Sequence, residues 1–135
     1  MENNQKEILL NTEYSIIVNE NGKKINKVLK GIATNITKGL PGRTKITVDF
    51  SIEENQHTLS YKKEIPFNTS LYGDNKLIFE NNQKFPHGEF SFPFQFNGVD
   101  CNFYQKGSLK TVKIIIIVGG IEVFSNDILN EDLST

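Results

Sequence analysis

Phe85-Pro86-His87-Gly88-Glu89-Phe90-Ser91-Phe92-Pro93-Phe94-Gln95-Phe96 decides the fold class of this protein. Successive side chains of a β-strand point to opposite faces. Phe90, Phe92, Phe94 and Phe96 therefore share one face, and Glu89, Ser91, Pro93 and Gln95 the other. A face of four phenylalanines is expected to be core, ahead of an aromatic platform for bases or sugars. Pro93 brings no N–H to a ladder, which places this strand at a sheet edge or puts a bulge there. Pro86 and Gly88 supply turn chemistry just before it.

The same period of two extends in both directions. Tyr14, Ile16 and Val18 alternate ahead of the turn-like Asn19-Glu20-Asn21-Gly22, and Val28, Ile32 and Ile36 recur at even positions after it. Gly39-Leu40-Pro41-Gly42 then interrupts the pattern. Beyond the break Ile46, Val48, Phe50 and Ile52 alternate with Lys45, Thr47, Asp49 and Ser51, the clearest half-buried strand of the sequence. Leu59, Tyr61, Ile65 and Phe67 continue the pattern, with Lys63 intruding on the apolar face as at a bulge or an exposed strand end. Residues 77–79, the phenylalanine strand, 109–118 and 121–124 complete a series of about eight strands. The expected fold is an all-β antiparallel sandwich of immunoglobulin-like type, one domain over residues 1–124. Residues 125–135 are an acidic tail or a short helix, with Ser125 or Asn126 as its cap and Asp127 in its first turn.

Composition narrows the function classes. With 135 residues the protein is large enough to bury a core without disulfides or metal. A formal net charge of -1 and a pI near 6.1 argue against nucleic-acid or anionic-membrane binding driven by bulk positive charge. The single cysteine, Cys101, has no intramolecular disulfide partner, and residues 1–6 lack the apolar segment of a secretory signal. A reducing, cytoplasmic setting is the expectation. The apolar run 114–118 is far shorter than the roughly 20 residues of a membrane helix, so it reads as a buried strand. The sequons at Asn35 and Asn68 are taken as chance matches in an Asn-rich sequence.

Few residues offer conventional catalytic chemistry. His57 lies in the polar run Glu53-Glu54-Asn55-Gln56-His57 and His87 between Pro86 and Gly88, so both read as solvated turn residues without the usual catalytic or metal-binding partners. Cys101 has Asp100 and Asn102 beside it rather than a cation, which favours a structural thiol. Glu53-Glu54 and Asp74 read as turn residues ahead of calcium ligands. No metal, phosphate-loop or nucleophile-elbow motif is present. No enzymatic activity and no cofactor are expected. The basic clusters carry more: Lys23-Lys24 after Asn21-Gly22, Arg43 and Lys45 beside a Gly-Pro-Gly turn, and Lys62-Lys63 within a strand. Each is ordinarily a solubilising feature. If the fold brings them together, they suit an acidic or phosphorylated segment of a protein partner.

Residues 28–118 resemble the N-terminal sandwich domain of the arrestin family. Lys30-Gly31-Ile32-Ala33-Thr34-Asn35 sits where such domains begin a strand after a glycine, and Arg43-Thr44-Lys45-Ile46-Thr47-Val48-Asp49-Phe50 is similar to the next strand. The phenylalanine segment is similar to that family's Leu-Pro-x-Gly and Phe-Pro-Phe signature, and residues 100–110 to the segment before its next long strand. The resemblance implies an antiparallel sandwich acting as a cytosolic adaptor in sorting or signalling, gripping protein tails. It departs from the family in three ways: there is no room for a second sandwich domain, Arg43 is the single arginine, and no PPxY motif occurs among Pro41, Pro66, Pro86 and Pro93.

The leading functional expectation is a non-enzymatic protein-binding module. Its exposed edge strand adds a partner segment, and Lys23, Lys24, Arg43, Lys45, Lys62 and Lys63 tune the choice. A homo-oligomer or self-assembling structural sandwich built through edges is the second reading. A small-ligand or lipid carrier with a phenylalanine-lined cavity is the third, and a calcium-dependent lipid-binding sandwich the weakest, because Glu53-Glu54, Asp74 and Asp100 are scattered.

Overall fold

The computed structural model describes residues 3–38, 43–64, 68–82, 88–107 and 111–129. Among them run ten strands and no helix: β1 (Asn3–Glu20), β2 (Lys23–Lys38), β3 (Thr44–Ile52), β4 (Asn55–Glu64), β5 (Asn68–Gly73), β6 (Lys76–Asn82), β7 (Gly88–Phe96), β8 (Val99–Gly107), β9 (Thr111–Val118) and β10 (Ile121–Leu129). Every strand pairs antiparallel with its sequence neighbour, except across the β6–β7 step. One meander makes a six-stranded sheet, β1-β2-β3-β4-β5-β6, and a second makes a four-stranded sheet, β10-β9-β8-β7. The all-β antiparallel sandwich read from the sequence is the observed architecture, with ten strands in place of about eight.

Local chemistry sets the meander. Each odd strand turns into the next even one through two residues, and four of these turns carry positive φ at both positions: Asn21-Gly22, Asp74-Asn75, Asn97-Gly98 and Gly119-Gly120. This is the type I′ geometry whose twist matches that of the paired strands. Glu53, also at positive φ, begins the fifth turn. Its N–H donates to the Val28 carbonyl at 2.8 Å and its carboxylate accepts the Val28 N–H at 3.3 Å, tying the β3–β4 turn to β2. The Asn19 N–H donates to the Gly98 carbonyl at 2.8 Å, so the tight turns of both sheets gather at one end of the molecule.

The inner faces of the two sheets form one core. From the six-stranded sheet come Ile16, Val18, Leu29, Ile46, Val48, Phe50, Leu59, Tyr61 and Leu71; from the other come Val99, Phe103, Val112, Ile114, Ile116 and Val118, all buried. Across the interface Tyr61 and Phe103 stack with centroids 5.4 Å apart, and the Tyr61 hydroxyl donates to Gln105 Oε1 at 3.2 Å. Phe79 meets Phe103 at 5.0 Å and Phe50 meets Phe96 at 6.3 Å.

β7 behaves as its alternation dictates. Glu89, Ser91, Pro93 and Gln95 are exposed, and the phenylalanine face turns to the core. Its register with β8 runs without a shift from Gly88↔Gly107 to Phe96↔Val99, and among the described residues no strand pairs with its other side. Pro93 thus sits on an edge strand rather than in a bulge. That edge position leaves Phe90, Phe92 and Phe94 half-buried, and Phe96 alone of the four is buried.

Three expectations are corrected. β5 and β8 are strands that the pattern did not reveal; β5 turns Thr69, Leu71 and Gly73 inward, one large apolar side chain among them. Residues 125–129 are not helical but continue β10, pairing from Ser125↔Ile115 to Leu129↔Thr111. The free edge of β9 offers these residues a ladder, whereas a helix this short is marginal alone. Lys63 needs no bulge, since β4 keeps its register through Lys63↔Thr69. The Gly39-Leu40-Pro41-Gly42 break, Ile65, Phe67, the Pro86-His87 turn, Leu109 and residues 130–135 lie outside the described residues.

The packing ranks the core positions and the turns by their sensitivity to substitution. Phe103→Ala removes a fully buried ring and lowers stability by about 3–5 kcal/mol, while Phe92→Ala on the half-buried edge lowers it by about half as much; urea unfolding of both variants checks the order. Gly98 and Gly120 both have positive φ, but a Cβ on Gly98 would stand 2.3 Å from the Asn19 carbonyl oxygen, and one on Gly120 meets nothing within 4 Å. Gly120→Ala is expected to cost about 1–2 kcal/mol, and Gly98→Ala at least about 1 kcal/mol more because backbone must also move. The same urea melts measure both.

Candidate functional site

The outward side chains of the six-stranded sheet form polar rows that the register defines. One row runs Thr37, Lys45, Lys62, Ser70 and Glu80 across β2 to β6, and the next runs Asn35, Thr47, Ser60, Tyr72 and Leu77. Lys45 on β3 and Lys62 on β4 are directly opposed. Side chains so placed have Cβ atoms about 4.5–5.5 Å apart, a spacing at which like charges repel. Tyr72 is the diagonal neighbour of Lys62, whose ammonium lies 5.1 Å from the ring centroid in cation–π contact. Ser60 and Asn75 complete a surface cleft of about 240 Å³ around these three residues. No carboxylate among the described residues pairs with Lys45 or Lys62, whereas Lys27 pairs with Glu20, His57 with Asp74 and Lys106 with Glu89.

The six basic residues singled out from the sequence do not converge. Lys45 and Lys62 meet, and Arg43 is exposed immediately before β3. Lys23 and Lys24 open β2 at the tight-turn end, whereas β3 begins opposite Lys38 at the other end of β2. Along β2, at about 3.3 Å per residue, that separates the two groups by on the order of 40 Å. Lys63 is only 6% exposed on the inner face, where it already has a partner, and is removed from the basic surface. Adjacent residues of a strand face opposite ways, so Lys62-Lys63 had to split. Tyr72, Ser60 and Asn75 had no signal of their own in the sequence, since strand register alone brings them to Lys62.

His57 is also placed differently from its reading as a solvated turn residue. It opposes Phe50 on the inner side of β4, and its ring packs against Phe50 and Phe96 with centroids at 6.0 and 5.3 Å. Its Nδ1–H donates to Asp74 Oδ2 at 2.8 Å, and the Thr58 N–H donates to Asp74 Oδ1 at 2.9 Å. Asn97 Nδ2 lies 3.3 Å from the same ring nitrogen. With that nitrogen protonated, the Asn97 amide turns its hydrogen toward Asp74. The cluster ties the start of β4 to the β5–β6 and β7–β8 turns. Burial pushes the Asp74 carboxyl upward, but the hydrogen bonds from His57, Thr58 and Asn97 and the His57 charge outweigh it and hold the carboxyl below 3.8.

The remaining candidates are structural. Cys101 is buried on β8, where burial pushes its thiol up to about 12. Glu53 and Glu54 are exposed, and among the described residues no three of His, Cys, Asp and Glu gather as a metal site. A second cleft of about 360 Å³ lies at the tight-turn end between Ile17, Asn19 and Lys24 on one side and Gly98, Asp100 and Gly119 on the other.

No family model, curated protein or solved structure matches this protein.

A carboxyl held below its ordinary value stabilises the fold at pH values above that ordinary value, and the contribution is lost as pH falls through the folded pKa. Asp74→Asn should therefore lower stability at pH 7 by up to about 1 kcal/mol, the scale of an exposed ion pair, and the gap to the parent protein should close toward pH 3. Denaturant melts at several pH values check this; a gap that persists at low pH would contradict it.

Proposed function

We propose that the protein is a non-enzymatic binding module that holds an acidic or phosphorylated segment of a partner protein on the outer face of its six-stranded sheet. The observation that carries the reading is the direct opposition of Lys45 and Lys62 in one cleft with Tyr72, Ser60 and Asn75, without a carboxylate partner among the described residues. Two ammoniums set against each other repel, and an anion between them relieves the repulsion while meeting hydroxyl and amide donors. The Tyr72 ring orients one ammonium without neutralising it.

Edge pairing belongs to the same proposal in a narrowed form. β1, β6, β7 and β10 each have one side unpaired within the sheets. Pro93 takes a donor from the middle of the β7 edge, which disfavours strand addition there. β6, whose Glu80 ends the Lys45–Lys62 row, is the edge nearest the cleft. A cytoplasmic adaptor role in sorting or signalling enters through the arrestin resemblance of β7 and its neighbours. The carrier reading loses support, because the phenylalanine rings pack against one another at 4.9–6.4 Å as in a filled core.

The test is charge reversal at the two ends of the sheet. Fluorescence anisotropy at about 0.15 M salt, where distant surface charges are screened, is measured with labelled glutamate-rich and phosphoserine peptides. Lys45→Glu with Lys62→Glu should lower affinity at least about tenfold without loss of melting temperature, about 1.4 kcal/mol of binding energy. Lys23→Glu with Lys24→Glu should leave binding unchanged. Equal binding by all three proteins would exclude the cleft as the binding site.

A further inference from the structure

Asn-Gly occurs twice in the sequence, at Asn21-Gly22 and Asn97-Gly98, and each pair forms a two-residue hairpin turn. An asparagine followed by glycine is open to attack on its own amide by the next backbone nitrogen, because glycine has no Cβ to block the approach. In this fold the two pairs meet opposite circumstances. Around Asn21 every residue from Asn19 to Asn26 is exposed, the Asn21 amide makes no hydrogen bond to the described residues, and nothing stands within 4 Å of a Cβ built on Gly22. Gly98 is clasped by Asn19, whose N–H donates to the Gly98 carbonyl at 2.8 Å and whose carbonyl oxygen would lie 2.3 Å from a Gly98 Cβ. The Asn97 amide is engaged at the His57–Asp74 pair.

We infer that Asn21 is a site of spontaneous deamidation in the folded protein and that Asn97 is protected by the same fold. The Gly22 nitrogen bonds to Asn21 Cγ, the Cγ–Nδ2 bond breaks, and the Gly22 proton leaves with Nδ2 as ammonia. The succinimide so formed takes up one water and opens at either carbonyl, giving aspartate or isoaspartate, with no oxidant or reductant. Both turns must leave their hairpin geometry for the attack. The exposed tip of β1–β2 opens locally, whereas the β7–β8 turn opens only with the cluster and clasp that hold it. The product places a carboxylate beside Lys23 and Lys24. Isoaspartate also lengthens the backbone by one atom inside a turn that sets the Glu20↔Lys23 pairing.

The experiment is incubation of the folded, full-length protein at mildly alkaline pH in heavy-oxygen water, followed by peptide mapping that separates aspartate from isoaspartate. A parallel incubation in urea reports both sites without the fold. In the folded protein, label should enter the Asn21 peptide at least about tenfold faster than the Asn97 peptide, the ratio expected when one site opens locally and the other does not. In urea the two rates should converge. His57→Ala, which loosens the cluster, should accelerate Asn97 and leave Asn21 unchanged. Equal rates at both sites in the folded protein, or no label at Asn21 until the protein unfolds, would overturn the inference.

Discussion

The stack of Tyr61 on Phe103 is the contact on which the rest of the structure depends. Each meander on its own is a sheet with one apolar face, and such a face is stable only when covered. Tyr61 comes from the middle of the six-stranded sheet and Phe103 from the four-stranded one; both are fully buried, and their rings lie within 20° of parallel. Gln105 meets the Tyr61 hydroxyl, so the one polar atom carried inward by that ring keeps a hydrogen bond. Around this pair Phe79 and Phe90 pack on Phe103, and the outer faces are left mainly to polar residues, with Ile17, Ile25 and Leu77 the exposed large apolar residues among those described. The opposed lysines exist on a surface because Ile46 and Tyr61, one residue away on each strand, are committed to the core.

Strands whose inner positions are all large and apolar were legible in the sequence. β3, with Ile46, Val48, Phe50 and Ile52, and β7, with its four phenylalanines, declare both their type and their buried face. Strand β5 did not, because Thr69 and Gly73 flank its single inward Leu71, and pairing with β4 and β6 makes it a strand without a hydrophobic period. Strand β8 carries a partial signal, a period of two in Val99, Cys101 and Phe103 directly after the Asn97-Gly98 hairpin turn, but the inward Gln105 and Gly107 cut that period short. The C-terminal segment shows the converse. Its composition admits a helix, and the unpaired side of β9 makes it a strand.

The candidate site was legible by residue type and illegible by geometry. Six basic residues stood out, but sequence proximity says nothing of which face each occupies until the register is known. Lys62 and Lys63 are adjacent in sequence and lie on opposite sides of the sheet, while Lys45 and Lys62 are distant in sequence and directly opposed. The same cause hid His57, whose position opposite Phe50 fixes its half-buried ring, and Tyr72, whose diagonal offset from Lys62 creates the cation–π contact. A sheet face is a two-dimensional pattern assembled from several strands, and a single strand's sequence carries one column of it.

The claim that two sheets form one core through Tyr61 and Phe103 is tested most directly by a double-mutant cycle. Tyr61→Leu, Phe103→Leu and the double variant are unfolded in urea and compared with the parent protein. Stacked aromatic rings in contact predict that the double variant loses about 0.5–1.5 kcal/mol less than the sum of the two single losses, because the shared contact is counted in each single variant. Strict additivity of the two substitutions would mean that the rings do not touch, and would contradict the sandwich.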